Sequence, residues 1–195
     1  MNGAFFALIS RMRNIRRWGL MRNTYEENVQ EHSHMTAVLA HALAVIRRDV
    51  FGGESDPDRC AAAALFHDAS EILTGDLPTP VKYANRDIKV SYKEVERLAV
   101  EKLTAMLPEK LRGEYENLIL CEDPGVLEII KAADKLSAYI KCVEELRAGN
   151  HEFESASGQI RTTLDNYAMP EVQYFMERFM PAFGMTLDEL TMKEE

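Results

Sequence analysis

The sequence has few cysteines, and they lie far apart. Cys60, Cys121 and Cys142 are the only three, and their spacing fits neither a disulfide framework nor a zinc ribbon. This usage predicts a reducing compartment, the cytoplasm. The sequence also lacks internal repeats, low-complexity segments and any alternating pattern typical of strands. We therefore expect an all-helical protein.

Long apolar runs are missing as well. The longest cover about residues 4–9 and 61–66, and arginines follow the first of them directly. A membrane-spanning helix needs roughly 20 apolar residues. We find no signal peptide, lipidation motif or anchor, and we predict no membrane partner.

Basic residues are outnumbered by acidic ones, 23 to 32, which gives a formal net charge of -9. Nucleic-acid polymers and anionic membranes need a basic surface, so the charge argues against both. The negative net charge does not exclude a small phosphorylated ligand that a few local cationic side chains bind. The 195 residues, 46% of them hydrophobic, suffice for one core. We predict a single domain over residues 1–195.

Hydrophobic periodicity and capping residues predict a bundle of about seven to nine helices. The first covers about residues 4–16. Asn28, with Glu31 on the next turn, forms a capping pair that predicts the start of the second helix. An aspartate followed by proline predicts two later starts, at Asp56-Pro57 and at Asp123-Pro124.

The run of alanines at residues 61–64 predicts a buried helix whose end carries polar residues, His67, Asp68 and Glu71. Glu71 follows the other two at spacings that place side chains on one helical face. Buried polar groups need partners. Either the protein satisfies these three, or they bind something, for which a metal ion is the obvious candidate. Glycine and prolines then break the helix and predict a stiff loop over residues 73–80.

His32 lies on the apolar stripe of the second predicted helix, whereas His34 and His41 lie elsewhere on the wheel and are predicted at the surface. A histidine on an apolar stripe is either a satisfied core residue or a ligand. Asp134 interrupts the inward stripe of the helix that starts at Asp123-Pro124. An aspartate there needs a cation.

Two kinds of cation fit Asp134 equally well. One is a lysine, Lys131 or Lys135, in a structural salt bridge; the other is a metal ion.

Taken together, the inward-facing polar residues are a nitrogen and oxygen donor set that suits one divalent transition metal. Four such ligands leave manganese, cobalt or iron open positions, whereas tetrahedral zinc would be filled. The four candidate ligands are His32, His67, Asp68 and Asp134.

The chain resembles the HD-domain phosphohydrolases, and among them the bacterial 5'-deoxynucleotidases, along nearly its entire length. The unbroken segment from His67 to Tyr83 is the most specific part of the resemblance. The segments that carry it are Arg17-Trp18, residues 20–23, Glu26, residues 28–29 and 31–33, residues 67–71 and 73–83, Lys131 with Ala133-Asp134, and Tyr139 with residues 141–142 and 144–146.

The resemblance implies an HD-domain fold, a homodimer and a phosphatase that acts on deoxynucleoside 5'-monophosphates with one divalent metal ion, cobalt or manganese. It implies that His32, His67, Asp68 and Asp134 hold the metal, that Glu71 is the catalytic carboxylate and that Arg17 orients the phosphate. It also implies that the following residues contact the substrate: Arg17, Trp18, His32, Asp76, Leu77, Pro78, Thr79 and Asp134.

Other interpretations stay open. Arg17 and Trp18 also suit the end of the first helix, with a cation that complements the helix dipole, Trp18 in the core and Gly19 as the cap. Glu71 can act as general base or as general acid. Two alternative functions are an HD-type hydrolase of a nucleoside triphosphate or alarmone, and a non-catalytic metal- or nucleotide-binding regulatory module.

Overall fold

The computed structural model describes residues 3–82 and 85–191. Within them the chain is all-helical, as predicted, and its only β-type pairing is an isolated antiparallel bridge between Arg16 and Asn28. No helix in these ranges is long and apolar enough to cross a membrane. The α-helices are α1 (Phe5–Ile9), α2 (Val29–Asp49), α3 (Pro57–Phe66), α4 (Glu71–Thr74), α5 (Thr79–Lys82), α6 (Arg86–Thr104), α7 (Glu109–Leu120), α8 (Pro124–Arg147), α9 (Glu154–Asp165), α10 (Pro170–Arg178) and α11 (Leu187–Thr191). Short 3-10 helices occupy Ser10–Asn14, His151–Phe153 and Met180–Gly184.

Side-chain caps start the helices that carry the site. Asn28 accepts a hydrogen bond from the Glu31 amide, and the Glu31 carboxylate accepts one from the Asn28 amide, which completes a capping box at α2. Asp56 caps α3, and Asp123 caps α8, each directly before a proline. The three predicted helix starts are therefore confirmed.

The main core lies between α2, α3, α8 and α10. Leu39, Leu43 and Ile46 are buried on α2, as the periodicity predicted. Full burial of each such side chain stabilises the fold by about 1.5–3 kcal/mol. This packing fixes α2 against α8, and so it also fixes His32 on α2 relative to Asp134 on α8.

Two predicted helices end earlier than expected. The first is α-helical only to Ile9, continues as a 3-10 helix to Asn14 and becomes extended at Ile15. The amide of Val29 donates to Ile15 O, so the chain pairs with the start of α2 instead of continuing as a helix. The helix predicted to reach Glu71 ends at Phe66, and a turn over residues 67–70 separates it from α4.

Residues 15–28 form an irregular loop, here called the arm, which connects the first helix to α2 and whose ends pair through the Arg16–Asn28 bridge. Its Arg17 amide donates to Glu27 O at 2.9 Å. Farther along, the buried carboxylate of Glu145 accepts hydrogen bonds from the amides of Thr24 at 2.9 Å and Tyr25 at 3.1 Å. The arm is thus attached to α8 as well as to α2.

The contribution of the Glu145 carboxylate to stability depends on pH. Burial raises its pKa, but hydrogen bonds from Lys141, Asn150 and the arm amides outweigh burial and lower the pKa from the ordinary 4.5 to about 2. A carboxylate with a depressed folded-state pKa stabilises the fold above its unfolded pKa, and this contribution disappears as the pH falls toward the folded value.

Replacing Glu145 with glutamine is expected to destabilise the protein at neutral pH by about 3 kcal/mol, because the buried Lys141 ammonium then lacks its charged partner. The difference from wild type should shrink as the pH falls from about 5 to about 2, the range over which the wild-type contribution is lost. Urea unfolding at several pH values measures it. The same substitution at exposed Glu177 is the matched control. A stability difference that stays constant across this range would contradict the assignment.

Candidate active site

Four of the predicted site residues converge between α2, α3 and α8. Nε2 of His32 lies 3.1 Å from Oδ1 of Asp134 and 3.8 Å from Oδ2 of Asp68. Nε2 of His67 lies 3.2 Å from the same Asp68 oxygen. Candidate ligand atoms of His32, His67 and Asp68 all lie within 4.8 Å of one another. The fold therefore brings together residues that are far apart in the sequence.

Both imidazoles are oriented by contacts to their other nitrogen. Nδ1 of His67 lies 2.7 Å from the carbonyl oxygen of Ala64. A carbonyl only accepts, so Nδ1 carries the hydrogen and the neutral ring has its lone pair on Nε2. Nδ1 of His32 contacts the Ser137 hydroxyl at 3.1 Å. Such partners are what hold metal-binding histidines in place.

The charges in this cluster favour a cation. Burial lowers the pKa of His67, but the Asp68 charge outweighs it and raises the pKa to about 9. Burial raises the pKa of Asp68, yet His67, His32 and Arg17 together hold it well below its usual range. The pKa of Asp134 is also strongly lowered, chiefly by His32, despite burial. Nε2 of His67 is buried and makes no hydrogen bond within the described residues. Its 3.2 Å contact with Asp68 lacks hydrogen-bond geometry, and a buried nitrogen placed in this way among carboxylates fits a divalent metal ion.

The alternatives for His32 and Asp134 can be compared with these contacts. His32 is completely buried, and Nε2 faces two carboxylates instead of an apolar wall. Lys135 Nζ lies 3.6 Å from the second oxygen of Asp134, so the predicted lysine contact exists beside the His32 contact. His34 and His41 are exposed, as predicted.

Arg17 reaches this cluster from the arm. Its Nη1 lies 3.4 Å from Asp68 Oδ2, and its Nε lies 3.3 Å from Glu27 Oε2. Its side chain is 14% exposed. Burial lowers the pKa of Arg17, but Asp68 and further acids raise it above the ordinary value, so the guanidinium stays charged. The interpretation of Arg17 as the cationic last turn of a helix is wrong, because the helix ends before it and the side chain points at Asp68.

Trp18 follows in an unusual backbone conformation, with φ at +56°. Its Nε1 donates to Glu27 Oε2 at 2.9 Å, and its ring lies 5.3 Å from the ring of Phe153. The side chain is half-buried and belongs to neither core cluster, and Gly19 does not cap a helix. Half-burial leaves part of the indole accessible to a small molecule.

Glu71 begins α4 and is buried. Lys82 Nζ donates to its Oε1 at 2.7 Å, while Oε2 has no hydrogen-bond partner within the described residues. Burial and then the charge of Asp68 raise the pKa of Glu71, Lys82 opposes them, and the pKa reaches about 8. The prediction that one helical face holds Glu71, His67 and Asp68 is wrong, because the turn at residues 67–70 interrupts the helix.

The loop after α4 holds the remaining predicted substrate contacts. Asp76 Oδ1 lies 3.7 Å from Lys82 Nζ, and Leu77 and Pro78 are half-buried. Thr79 begins α5, and its side chain lies outside the described residues, as does the whole of Tyr83 from the predicted motif. The loop is shorter than predicted, since α5 starts at Thr79.

Sequence reasoning assigned no role to three residues that contact the site, Glu27, Lys82 and Ser137. Glu27 lies within the arm and Lys82 ends the short helix α5, and neither segment has a helical periodicity in the sequence from which their partners could be predicted. Ser137 lies one turn after Asp134 on α8. Its inward position was the one available signal, because residues at this spacing share a helical face.

The fold is that of the HD-domain phosphohydrolase class. A crystal structure of an HD-domain phosphohydrolase from Listeria innocua has a TM-score of 0.80 and 26% identity, over 92% of this chain and 87% of that chain. The cyanophage S-2L HD phosphohydrolase DatZ, whose structure contains dA and one catalytic Zn²⁺ ion, has the same fold, with a TM-score of 0.59 and 23% identity, over 92% of this chain and 96% of that one.

Sequence comparisons narrow the class to a family. Residues 4–183 match the family model described as 5'-deoxynucleotidase YfbR-like. The chain is 51% identical to a 5'-deoxynucleotidase of Erwinia tasmaniensis, over 96% of each protein. It is 47% identical to one of Vibrio cholerae, over 96% of this chain and 97% of that protein. The chain belongs to the YfbR-like 5'-deoxynucleotidase family, which confirms the resemblance seen in the sequence.

Proposed function

We propose that this protein is a metal-dependent 5'-deoxynucleotidase, a phosphoric monoester hydrolase that converts deoxyribonucleoside 5'-monophosphates to deoxynucleosides and phosphate. The observation that carries the proposal is the position of Arg17 at Asp68, beside a His-Asp cluster whose donor atoms suit a divalent cation, in a chain of this family. A metal ion held by this cluster would add its positive charge to that of Arg17 at one phosphate group. A binding module that only stored metal would need neither Arg17 nor Glu71.

The metal is proposed to be held by His32, His67, Asp68 and Asp134. The donors support this: two imidazole nitrogens face carboxylate oxygens within 3.1–3.8 Å. A divalent cation there would supply charge that stabilises phosphoryl oxygens and acidifies water. Cobalt or manganese is proposed, because a mixed nitrogen and oxygen set leaves these metals open positions.

The protein's own groups are proposed to act on the phosphate and on protons. Arg17 orients the phosphate, since a guanidinium binds two phosphate oxygens in a fixed plane. Glu71 is the catalytic carboxylate and exchanges a proton with water or with the leaving 5'-oxygen. Lys82 holds Glu71 through the 2.7 Å contact at Oε1, and Oε2 lacks a protein partner within the described residues, which supports a role toward substrate.

The sugar and base are proposed to bind between the arm and the loop after α4. Trp18 packs against the deoxyribose, and a 2'-hydroxyl would be desolvated there without a partner. Asp76 accepts a hydrogen bond from the 3'-hydroxyl. The further proposed contacts come from Leu77, Pro78, Thr79, His32 and Asp134.

Three wider features complete the proposal. The chain is one HD domain over residues 1–195 and works in the cytoplasm, which its three free, buried cysteines support. It is a homodimer. Exposed apolar side chains on α6 support this, since such faces commonly pair copies of one chain; they are Ile88, Val90, Val95 and Leu98.

A substrate panel tests this function. With manganese or cobalt, phosphate release from deoxyribonucleoside 5'-monophosphates is expected to exceed release from the ribonucleotides by about ten-fold or more, because a 2'-hydroxyl packed against Trp18 would be desolvated without a hydrogen-bond partner. A chelator should stop the reaction. Deoxynucleoside triphosphates form the third arm, and turnover of them would favour the alternative hydrolase. Equal rates on both sugars would contradict the proposed role of Trp18.

A further inference from the structure

Glu27 lies at the end of the arm, directly before the residue that caps α2. Its carboxylate oxygen Oε2 accepts a hydrogen bond from Trp18 Nε1 at 2.9 Å and also lies 3.3 Å from Arg17 Nε. The main chains are joined as well, since the Arg17 amide donates to Glu27 O at 2.9 Å. One carboxylate thus contacts both arm residues to which the proposed function assigns substrate contacts.

The contact with Arg17 is shielded from water. The two side chains are 14% and 15% exposed, so solvent and salt screen the pair less than they screen a surface pair. Glu27 faces Nε of the guanidinium, whereas Asp68 faces Nη1 at 3.4 Å. The Glu27 contact is an ion pair without hydrogen-bond geometry, since the buried Nε has no hydrogen-bond partner within the described residues, whereas Nη1 donates to Asp68. Together the two negative charges favour one orientation of the guanidinium. An arginine held in this way loses less rotamer freedom when a phosphate binds.

The contact with Trp18 determines the direction of the indole. A φ of +56° is rare for a bulky residue, and such conformations persist only where surrounding contacts enforce them. Trp18 O accepts hydrogen bonds from the Met21 amide at 2.9 Å and from Asn23 Nδ2 at 3.3 Å, which fix its backbone. The indole N–H is the only polar group of the side chain, and it only donates. Its acceptor, Glu27, therefore determines which edge of the ring faces the site.

We propose that Glu27 is a positioning residue for the deoxynucleotidase reaction, with one carboxylate that aims Arg17 at the phosphate and Trp18 at the sugar. Because both side chains share this anchor, phosphate orientation and the choice of deoxyribose depend on the same group. The inference rests on the proposed function, since Arg17 and Trp18 act on substrate only if the protein is a 5'-deoxynucleotidase. Glu27 itself acts through them and does not exchange a proton with substrate.

The first readout needs no substrate. Trp18 is the only tryptophan of the chain, so intrinsic fluorescence reports on this side chain alone. Glu27→Ala removes the indole acceptor and should shift the emission and increase quenching by acrylamide. Glu27→Gln retains an amide oxygen and should change both less. The matched control is Glu26→Gln, because neighbouring Glu26 is 65% exposed and pairs with exposed Arg16. This variant should match wild type.

The second readout is kinetic and uses the metal-loaded enzyme. Both Glu27 variants should lower kcat/KM for a deoxynucleoside 5'-monophosphate by about ten-fold or more, since a charge-assisted contact is lost. Glu27→Ala should also lower the deoxy-to-ribo ratio, whereas Glu27→Gln should largely preserve it. In an Arg17→Ala background, Glu27→Gln should lower kcat/KM by less than about two-fold. The effects of two substitutions are not additive when one residue acts through the other.

The outcomes separate the two proposals. If folded Glu27→Ala matches Glu26→Gln in fluorescence and in the deoxy-to-ribo ratio, Glu27 is not a positioning residue. If Glu27→Ala does not fold, the double-substitution cycle with Glu27→Gln decides, and an undiminished effect without Arg17 overturns the inference. If wild type releases no phosphate from deoxynucleotides, the proposed function fails, while the fluorescence contrast still tests whether Glu27 orients Trp18.

Discussion

Replacing Glu71 with glutamine is expected to lower kcat on deoxyribonucleoside 5'-monophosphates by about 10²- to 10⁴-fold, the usual contribution of a positioned acid or base. The carboxyl is buried, and its environment raises the pKa to about 8. It can therefore hold or release a proton near neutral pH. Glutamine keeps the shape and an oxygen for Lys82, but it cannot exchange a proton.

Metal and nucleotide binding should survive this substitution, because Glu71 is not one of the proposed metal ligands. Metal content, nucleotide affinity by calorimetry and steady-state kinetics measure the three properties separately. Glu94→Gln on α6 is the matched control, since Glu94 is exposed and pairs with Arg97 at the surface. An unchanged kcat in Glu71→Gln would remove Glu71 from the mechanism, and lost metal binding would place it among the ligands instead.

The helix starts were predictable because their chemistry is local. Asn28 with Glu31 forms a capping box within one turn, and an aspartate before proline caps α3 and α8 in the same way. The all-helical class followed from the same periodicity. The end of α3 at Phe66 was not predictable in this way, because no proline or glycine directly follows it. The sequence of residues 67–70 is compatible with a continuing helix, although the chain forms a turn there.

The candidate site was predictable only in part. His32 and Asp134 were predicted as site residues because a polar residue on an apolar stripe needs a partner. In the structure they are partners, with Nε2 of His32 3.1 Å from Oδ1 of Asp134. Arg17 and Asp68 are 51 positions apart, and no spacing rule links them. Their pairing depends on the path of the arm, which long-range contacts to Glu145 determine. Glu27 and Lys82 were missed for the same reason.

The second large effect concerns Asp68, which contacts more of the cluster than any other acid: both histidines and Arg17. We expect Asp68→Asn to abolish metal binding and with it phosphate release. An amide retains one oxygen donor, but it removes the charge that balances a divalent cation next to two imidazoles. Arg17 also loses its partner at Nη1, so the role that we propose for it in orienting the phosphate is weakened at the same time.

Thermal unfolding with and without metal measures the loss of metal binding in Asp68→Asn independently of activity. A ligand that binds only the folded state stabilises it by about 2.7 kcal/mol at a hundred times its Kd, so manganese or cobalt should raise the Tm of wild type. Asp68→Asn should show no such rise. Asp58→Asn is the control, because exposed Asp58 lies 3.7 Å from His41 and forms a histidine-aspartate pair outside the cluster. A metal-dependent Tm that persists in Asp68→Asn would mean that the cation binds elsewhere, and the proposed ligand set would be wrong.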